Sequence, residues 1–263
     1  MIVGYQGESG AFSEEAIPEL FGAVDTRGYP TFDALIEAVD GGEIPYGLLP
    51  CENSIHGPIA RAYDLLDAYP AVNVVDETVH RVVQALIGTA QARVEQIRRV
   101  ESHPVALEQC RRFLASLRDV EVAPVADTAG AVRDVVRAGD PARAAIGPAA
   151  SAARYGGQIL AHAIQDEVEN YTRFFVVARG GEPRRRLGRA VLGFRLAHRP
   201  GSLHAALGIF AERELNLRAL VARPFPGRPF EYVFYAELDC PEPALAQAIL
   251  TEIGGRTRLL GWY

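Results

Sequence analysis

Short apolar runs recur along the chain, each stopped by a cluster of glycine and polar residues. Residues 2–5, 46–50 and 71–75 are rich in β-branched and aromatic side chains and predict buried strands. Between and beyond them, residues 31–39, 59–68, 106–117, 128–138 and 151–155 place apolar positions at helical spacing. Ser13 is placed to cap a helix that carries Ala16, Leu20 and Phe21. The segments 82–87, 94–99, 120–124 and 144–146 continue the alternation, and the block 78–166 has the look of a lobe inserted into the first. The chain then returns through 170–177, so two crossings predict a hinge with a ligand cleft between lobes.

The pattern changes after residues 181–188, a charged stretch with Gly, Pro and three consecutive arginines that predicts a solvated linker. Strand 190–197, helix 201–212, strands 217–223 and 231–238, helix 243–253 and strand 257–263 follow. The order βαββαβ is the ferredoxin-like arrangement.

Polar clusters at the ends of the apolar runs carry the candidate chemistry. Asn170-Tyr171-Thr172-Arg173-Phe174 opens directly into the run 174–178. A hydroxyl and a fixed cation at the mouth of a buried strand are costly to place; Thr172 can donate to a reacting oxygen and Arg173 can grip a carboxylate. The loop Gly4 to Ser13 follows the first strand, and its amides favour anions, but its glycine spacing is not that of a phosphate-binding loop and it lacks the lysine. Pro50-Cys51-Glu52-Asn53-Ser54-Ile55-His56-Gly57 ends another strand. Asn53 and Ser54 are candidate ligands there, or caps for the helix that follows. Ser102-His103-Pro104 precedes a helix, where Pro at the first turn and a Ser or His cap account for all three residues equally well.

These four motifs in this order resemble prephenate dehydratase, and the resemblance runs from Met1 to Tyr263. It implies an α/β fold: a bilobal, periplasmic-binding-protein-like catalytic domain over 1–180, with lobe one 1–77 and 167–180 and lobe two 78–166. A linker 181–188 and a ferredoxin-like ACT regulatory domain over 189–263 complete it. The implied activity is loss of CO2 and water from prephenate to give phenylpyruvate, without metal or cofactor. Thr172 and Arg173 would be catalytic; Ser9, Asn53, Ser54, Gly57, Ser102 and Phe174 would bind substrate. Gly201, Ser202, Leu203, Asn216, Arg223 and Pro224 would bind L-phenylalanine as effector. The resemblance also implies a homodimer or homotetramer.

The chain departs from the family at several places. His56 stands where Glu is common, Pro58 replaces a small hydroxyl residue, and Gln84 stands where His is frequent. Val221 and Ala222 replace a Glu-Ser pair before Arg223-Pro224, which implies weakened or altered feedback. Ala11, where Thr is common, is shared with plant-type arogenate dehydratases and leaves arogenate open as substrate. A non-aromatising prephenate decarboxylase and a binding protein without chemistry would fit the same scaffold; Thr172 speaks against both.

Composition adds limits rather than chemistry. The 263 residues are 49% hydrophobic and 23% charged, enough for one large or two modest cores. All 27 basic residues are arginine, and the net charge of -6 argues against nucleic acid or an anionic membrane surface as partner. The start of the chain has no basic and apolar leader and no run spans a bilayer, so a cytoplasmic protein is expected. Cys51, Cys110 and Cys240 lack zinc or disulfide spacing and read as reduced thiols.

Overall fold

The structure is a computed structural model that describes residues 1–225 and 227–263. The chain divides into two compact units, one of residues 1–35, 52–57 and 78–174, the other of 36–51, 58–77 and 175–263.

In the first unit, strand Ile2–Gln6 pairs in parallel with Asp25–Tyr29. A separate five-stranded sheet runs in the order Gln158–His162, Gln84–Gly88, Arg143–Pro148, Arg99–Ser102 and Glu121–Pro124. Its apolar strands are covered on both faces, which is why they read as continuous rather than alternating runs. Leu86, Val100, Ala144 and Ile146 face helices Pro104–Gln109 and Arg111–Ser116. Ala85, Ile87 and Ala145 face helices Thr128–Ala138 and Ala149–Tyr155.

Local chemistry sets several boundaries that differ from expectation. The single helix expected over 106–117 breaks at Cys110, because Asp166 takes over its bonding: Asp166 N donates to the Gln109 carbonyl and its carboxylate accepts from Arg112 N. Ser13 does not cap its helix; Phe12–Glu15 starts after Ala11 with no side-chain cap. Strand Gln158–His162 is half-exposed and lacks an apolar rhythm, so the sequence gives no sign of it. His103 caps Pro104–Gln109 by accepting from Val105 N at 3.2 Å.

In the second unit, strands Leu217–Pro224, Tyr232–Asp239, Arg189–Arg195 and Thr257–Trp262 lie side by side in that order, all antiparallel. Helices Ser202–Ala211 and Pro243–Ile253 cover one face, with Phe194, Phe210, Leu238, Ile249 and Leu250 at the centre. This is the expected βαββαβ module. Beyond Thr257–Trp262 the sheet continues onto strand Val72–Arg81 in parallel, with Gly261 opposite Val74. A Cβ at Gly261 would lie 2.3 Å from the Val74 carbonyl oxygen, so only glycine permits that approach.

In the arginine run at 184–186, Arg185 and Arg186 are exposed, as a solvated stretch predicts, but the run is also anchored by its side chains. Arg185 grips the buried Asp76 carboxylate at 2.9 Å and donates to the Glu77 carbonyl, while Arg184 stacks over the Tyr46 ring. Glu77, also buried, is met by Arg189 and by the Tyr263 hydroxyl at 2.9 Å. These counter-charges explain why strand Val72–Arg81 runs through two carboxylates that the sequence places at a strand end.

Candidate functional site

The loop 52–57 and the strand beginning at Tyr171 are knitted together by the two residues that the sequence marks first. Asn53 is buried, and its Nδ2 donates to Asn170 Oδ1 at 2.9 Å, to the Tyr171 carbonyl at 3.0 Å and to Thr172 Oγ1 at 3.2 Å. Its Oδ1 accepts from the Ile55 and His56 amides, closing the loop as an Asx turn. Ser54 adds a reciprocal tie: its amide donates to the Tyr171 carbonyl, its hydroxyl accepts from Tyr171 N and donates to the Glu169 carbonyl. Gly57 completes the turn at φ +78°, a conformation that favours glycine. Neither Asn53 nor Ser54 caps the next helix, whose N-cap is Ile59 with no side-chain bond.

Because Thr172 Oγ1 accepts from Asn53, its own O–H proton remains available to a ligand. Next to it, Arg173 is buried to 10% side-chain exposure and donates through Nε and Nη2 to Glu52 Oε2 at 3.1 and 2.9 Å. Part of the guanidinium is therefore already committed to a carboxylate of the protein. Phe174 is fully buried in the strand and presents no ring surface to a ligand.

Three carboxamides missing from the expected site gather beside this loop. Gln84 Nε2 donates to Gln109 Oε1 at 3.1 Å, and Gln84 N to Gln165 Oε1 at 3.0 Å. Gln84 Oε1 and Asn170 Nδ2 are buried with no partner among the described residues. A cavity of about 250 Å³ opens there, lined by His56, Gln109, Arg111, Arg112, Gln165 and Asn170 among others. Orphaned buried amides beside a polar cavity are where a polar ligand replaces lost water. A Gln on a helix between apolar positions is the only sequence signal for Gln109.

The other expected ligands sit elsewhere. Ser102 is fully buried and donates to the Ile146 carbonyl at 2.6 Å, so its hydroxyl is spent on the sheet. Ser9 donates to Glu14, which also accepts from the Gly10 amide and Thr26. Burial raises the Glu14 carboxyl, but those hydrogen bonds outweigh it and hold the group below its usual range. Ser9 lines a different cavity of about 600 Å³, with Tyr5, Arg27, Asp127 and Arg154. His103 is lowered by burial, which suits the neutral cap it provides. All three cysteines are buried and unbridged, and burial pushes the Cys110 thiol up to about 12.

In the second unit the six expected effector residues lie at the start of helix Ser202–Ala211 and along or just before strand Leu217–Pro224. Gly201 starts helix Ser202–Ala211 in a left-handed conformation, and Ser202 lies in the wall shared by cavities of about 360 and 110 Å³, the smaller also lined by Leu203. Asn216 is paired with Asp239, Arg223 is paired with Asp64, and Pro224 closes its strand. Among the described residues no helix is long and apolar enough to cross a membrane.

Residues 3–182 match the family model described as prephenate dehydratase. The chain is 36% identical over 250 residues to arogenate dehydratase/prephenate dehydratase 2, chloroplastic, of Arabidopsis thaliana, covering 90% of this chain but 65% of that protein. It is 30% identical over 262 residues to the bifunctional chorismate mutase/prephenate dehydratase of Aquifex aeolicus, covering 98% of this chain and 71% of that one. Among solved structures, prephenate dehydratase from Arthrobacter aurescens in complex with L-Phe superposes with a TM-score of 0.90 at 27% identity, over 99% of this chain and 89% of that one. GqqA, described as a novel type of quorum quenching acylase, superposes with a TM-score of 0.89 at 30% identity, over 99% and 97% of the two chains.

Proposed function

The chain belongs to the prephenate dehydratase family, and from that premise we propose that it converts prephenate to phenylpyruvate. The ring carboxylate leaves as CO2, its bonding pair enters the ring, and the ring carbon–hydroxyl bond breaks as the leaving oxygen takes a proton and departs as water. Aromatisation drives the reaction, so the protein supplies orientation and a proton donor at the hydroxyl. The observation that carries this reading is the free O–H of Thr172, whose oxygen is held by Asn53. Arg173 lies next in the strand and supplies positive charge, tempered by Glu52. The threonine acts as a hydrogen-bond donor and proton relay, recharged from solvent. The orphaned amide of Asn170, with Gln109, offers contacts to the substrate's oxygens. No metal or organic cofactor enters the mechanism.

The reading assigns catalysis to residues 1–180 and regulation to an ACT domain over 189–263, joined by 181–188; the family match ending at residue 182 supports it. L-Phenylalanine is the proposed effector, supported by the L-Phe complex of the Arthrobacter aurescens relative. The proposed assembly is a homodimer or homotetramer. Among the described residues, strand Leu217–Pro224 pairs with one neighbour only, an edge that a second copy would cover. Light scattering at micromolar concentration should give at least a dimer mass.

Purified protein incubated with prephenate and with arogenate decides the activity. Phenylpyruvate from the first is expected; phenylalanine from the second, at a higher kcat/KM, would make it an arogenate dehydratase. Turnover of neither, with cleavage of an acylated amide, would assign the site to the chemistry named for GqqA.

A further inference from the structure

Asn170, Gln109 and Gln165 line the cavity of about 250 Å³, and all three belong to the first unit. The oxygen of each carboxamide is already held. Asn53 is oriented by the backbone, since its Oδ1 accepts from the Ile55 and His56 amides, and so it is its Nδ2 that meets Asn170 Oδ1 at 2.9 Å. Gln165 Oε1 accepts from the backbone amide of Gln84 at 3.0 Å, and Gln109 Oε1 from Gln84 Nε2 at 3.1 Å. Gln84 is buried at the start of strand Gln84–Gly88, which is paired on both sides. A carboxamide whose oxygen is engaged has only its NH2 left to offer. Asn170 Nδ2, Gln109 Nε2 and Gln165 Nε2 meet no acceptor among the described residues. Gln84 Oε1 also lacks a partner, but Gln84 is not part of the cavity wall.

The charged side chains of the same wall are matched to one another: Arg111 to Glu108, and Arg112 to Glu167 and Asp166. Both arginines and both glutamates are more than half exposed, so water screens them. What the cavity offers a ligand is a set of neutral donors, suited to a group that only accepts. We propose that it holds the keto-acid side chain of the substrate, with Gln165 as a carboxylate-binding, specificity-determining residue and Gln84 as the positioning residue that aims Gln165 and Gln109. The proposal rests on the dehydratase reading above. Asn53 Nδ2 touches both Asn170 and Thr172, which places the donors beside the hydroxyl that receives the leaving oxygen. Of the two carboxylates of prephenate, the ring carboxylate becomes neutral CO2, and donors fixed on it would stabilise the ground state more than the transition state. Donors on the retained side-chain carboxylate carry no such cost. An ammonium in place of the keto oxygen, as in arogenate, sets donor against donor and leaves both unpaired.

The test uses the full chain with Gln165→Glu, Gln165→Met and Gln84→Met. Gln165→Glu keeps the shape and the acceptor for Gln84 N but turns the cavity-facing donor into an anionic oxygen. Phenylpyruvate binding is followed by titration calorimetry, and kcat/KM is measured for prephenate and for arogenate. The wild type is expected to favour prephenate by at least about tenfold. Gln165→Glu should weaken phenylpyruvate binding and raise the KM for prephenate about ten- to a hundredfold, and shift the preference toward arogenate. Gln165→Met should weaken the same binding about tenfold. Gln84→Met should move the prephenate-to-arogenate ratio in the same direction, whereas a purely structural Gln84 would lower Tm and leave the ratio alone. A Gln165 variant that folds by circular dichroism and binds phenylpyruvate like the wild type overturns the proposal. So does a wild type that binds no phenylpyruvate at millimolar concentration, and an unchanged ratio in Gln84→Met removes the positioning role. Turnover of neither substrate by the wild type would defeat the dehydratase reading, and phenylpyruvate titration of the same variants would still decide whether the cavity takes a keto acid.

Discussion

Asn53 shows how much one carboxamide can fix: two amide protons shared among three oxygens, and one carbonyl shared by two backbone amides. The arrangement leaves Thr172 with a single function, to donate. Thr172→Ala should therefore lower kcat about a hundredfold, the usual cost of one lost donor to a transition state, while Thr172→Ser stays close to wild type. Steady-state rates with prephenate and a melting curve check both. Thr172, Arg173 and Asn53 are legible because polar residues at the mouth of an apolar run are conspicuous. Gln84 and Gln109 are not, since their burial is decided by each other, 25 residues apart. The commitment of Arg173 to Glu52 is hidden for the same reason, the partners being 121 residues apart.

His80 offers a pH-dependent test at the same scale. Burial lowers it, but a 2.7 Å hydrogen bond to Glu19 and a longer 3.4 Å contact to Glu15 outweigh that, and the group is raised above its ordinary value. A raised histidine stabilises the fold fully below its unfolded pKa, about 6.5, and loses that contribution as pH climbs through the higher folded value. Tm should thus fall as pH rises above about 6.5, and His80→Gln should flatten that part of the profile. A wild-type slope that survives the substitution would place its origin elsewhere.

Elements are legible where one rhythm persists, as in helix Pro243–Ile253, and misjudged where a distant group intervenes. Asp166 splits one expected helix, and arginines from 184 onward extend strand Val72–Arg81 beyond its apolar part. The contact of that strand with Thr257–Trp262 depends on Gly261. Gly261→Ala forces a Cβ to within 2.3 Å of a backbone oxygen, so the strands must part. Overpacking of this kind costs about 1 to 3 kcal/mol. A drop in Tm without change in the KM for prephenate is expected.

For the whole molecule, the alternating α/β pattern and the βαββαβ module can be read from the runs alone, because each element is contiguous. The division into compact units cannot, since the chain passes between them after residues 35, 51, 57, 77 and 174. A fragment ending at residue 182, where the family match stops, would lack Arg185, Arg189, Arg223, Glu237 and Tyr263. It would cost the buried Asp76 and Glu77 their arginine and tyrosine contacts, a defect of about 3 to 5 kcal/mol for each ion pair broken. Such a fragment is expected to show no cooperative melting transition by circular dichroism, unlike the full chain.

The pairing of Glu77 with Tyr263 also sets a clock during synthesis. The two are 186 residues apart, and at roughly 5 to 20 residues per second a ribosome needs on the order of 10 to 40 s to deliver the second after the first. Until then Glu77 lacks its hydroxyl partner, even though Arg185 and Arg189 are already made to meet Asp76 and Glu77. The N-terminal part of the nascent chain therefore stays open to chaperones while it waits for a hydroxyl made far downstream.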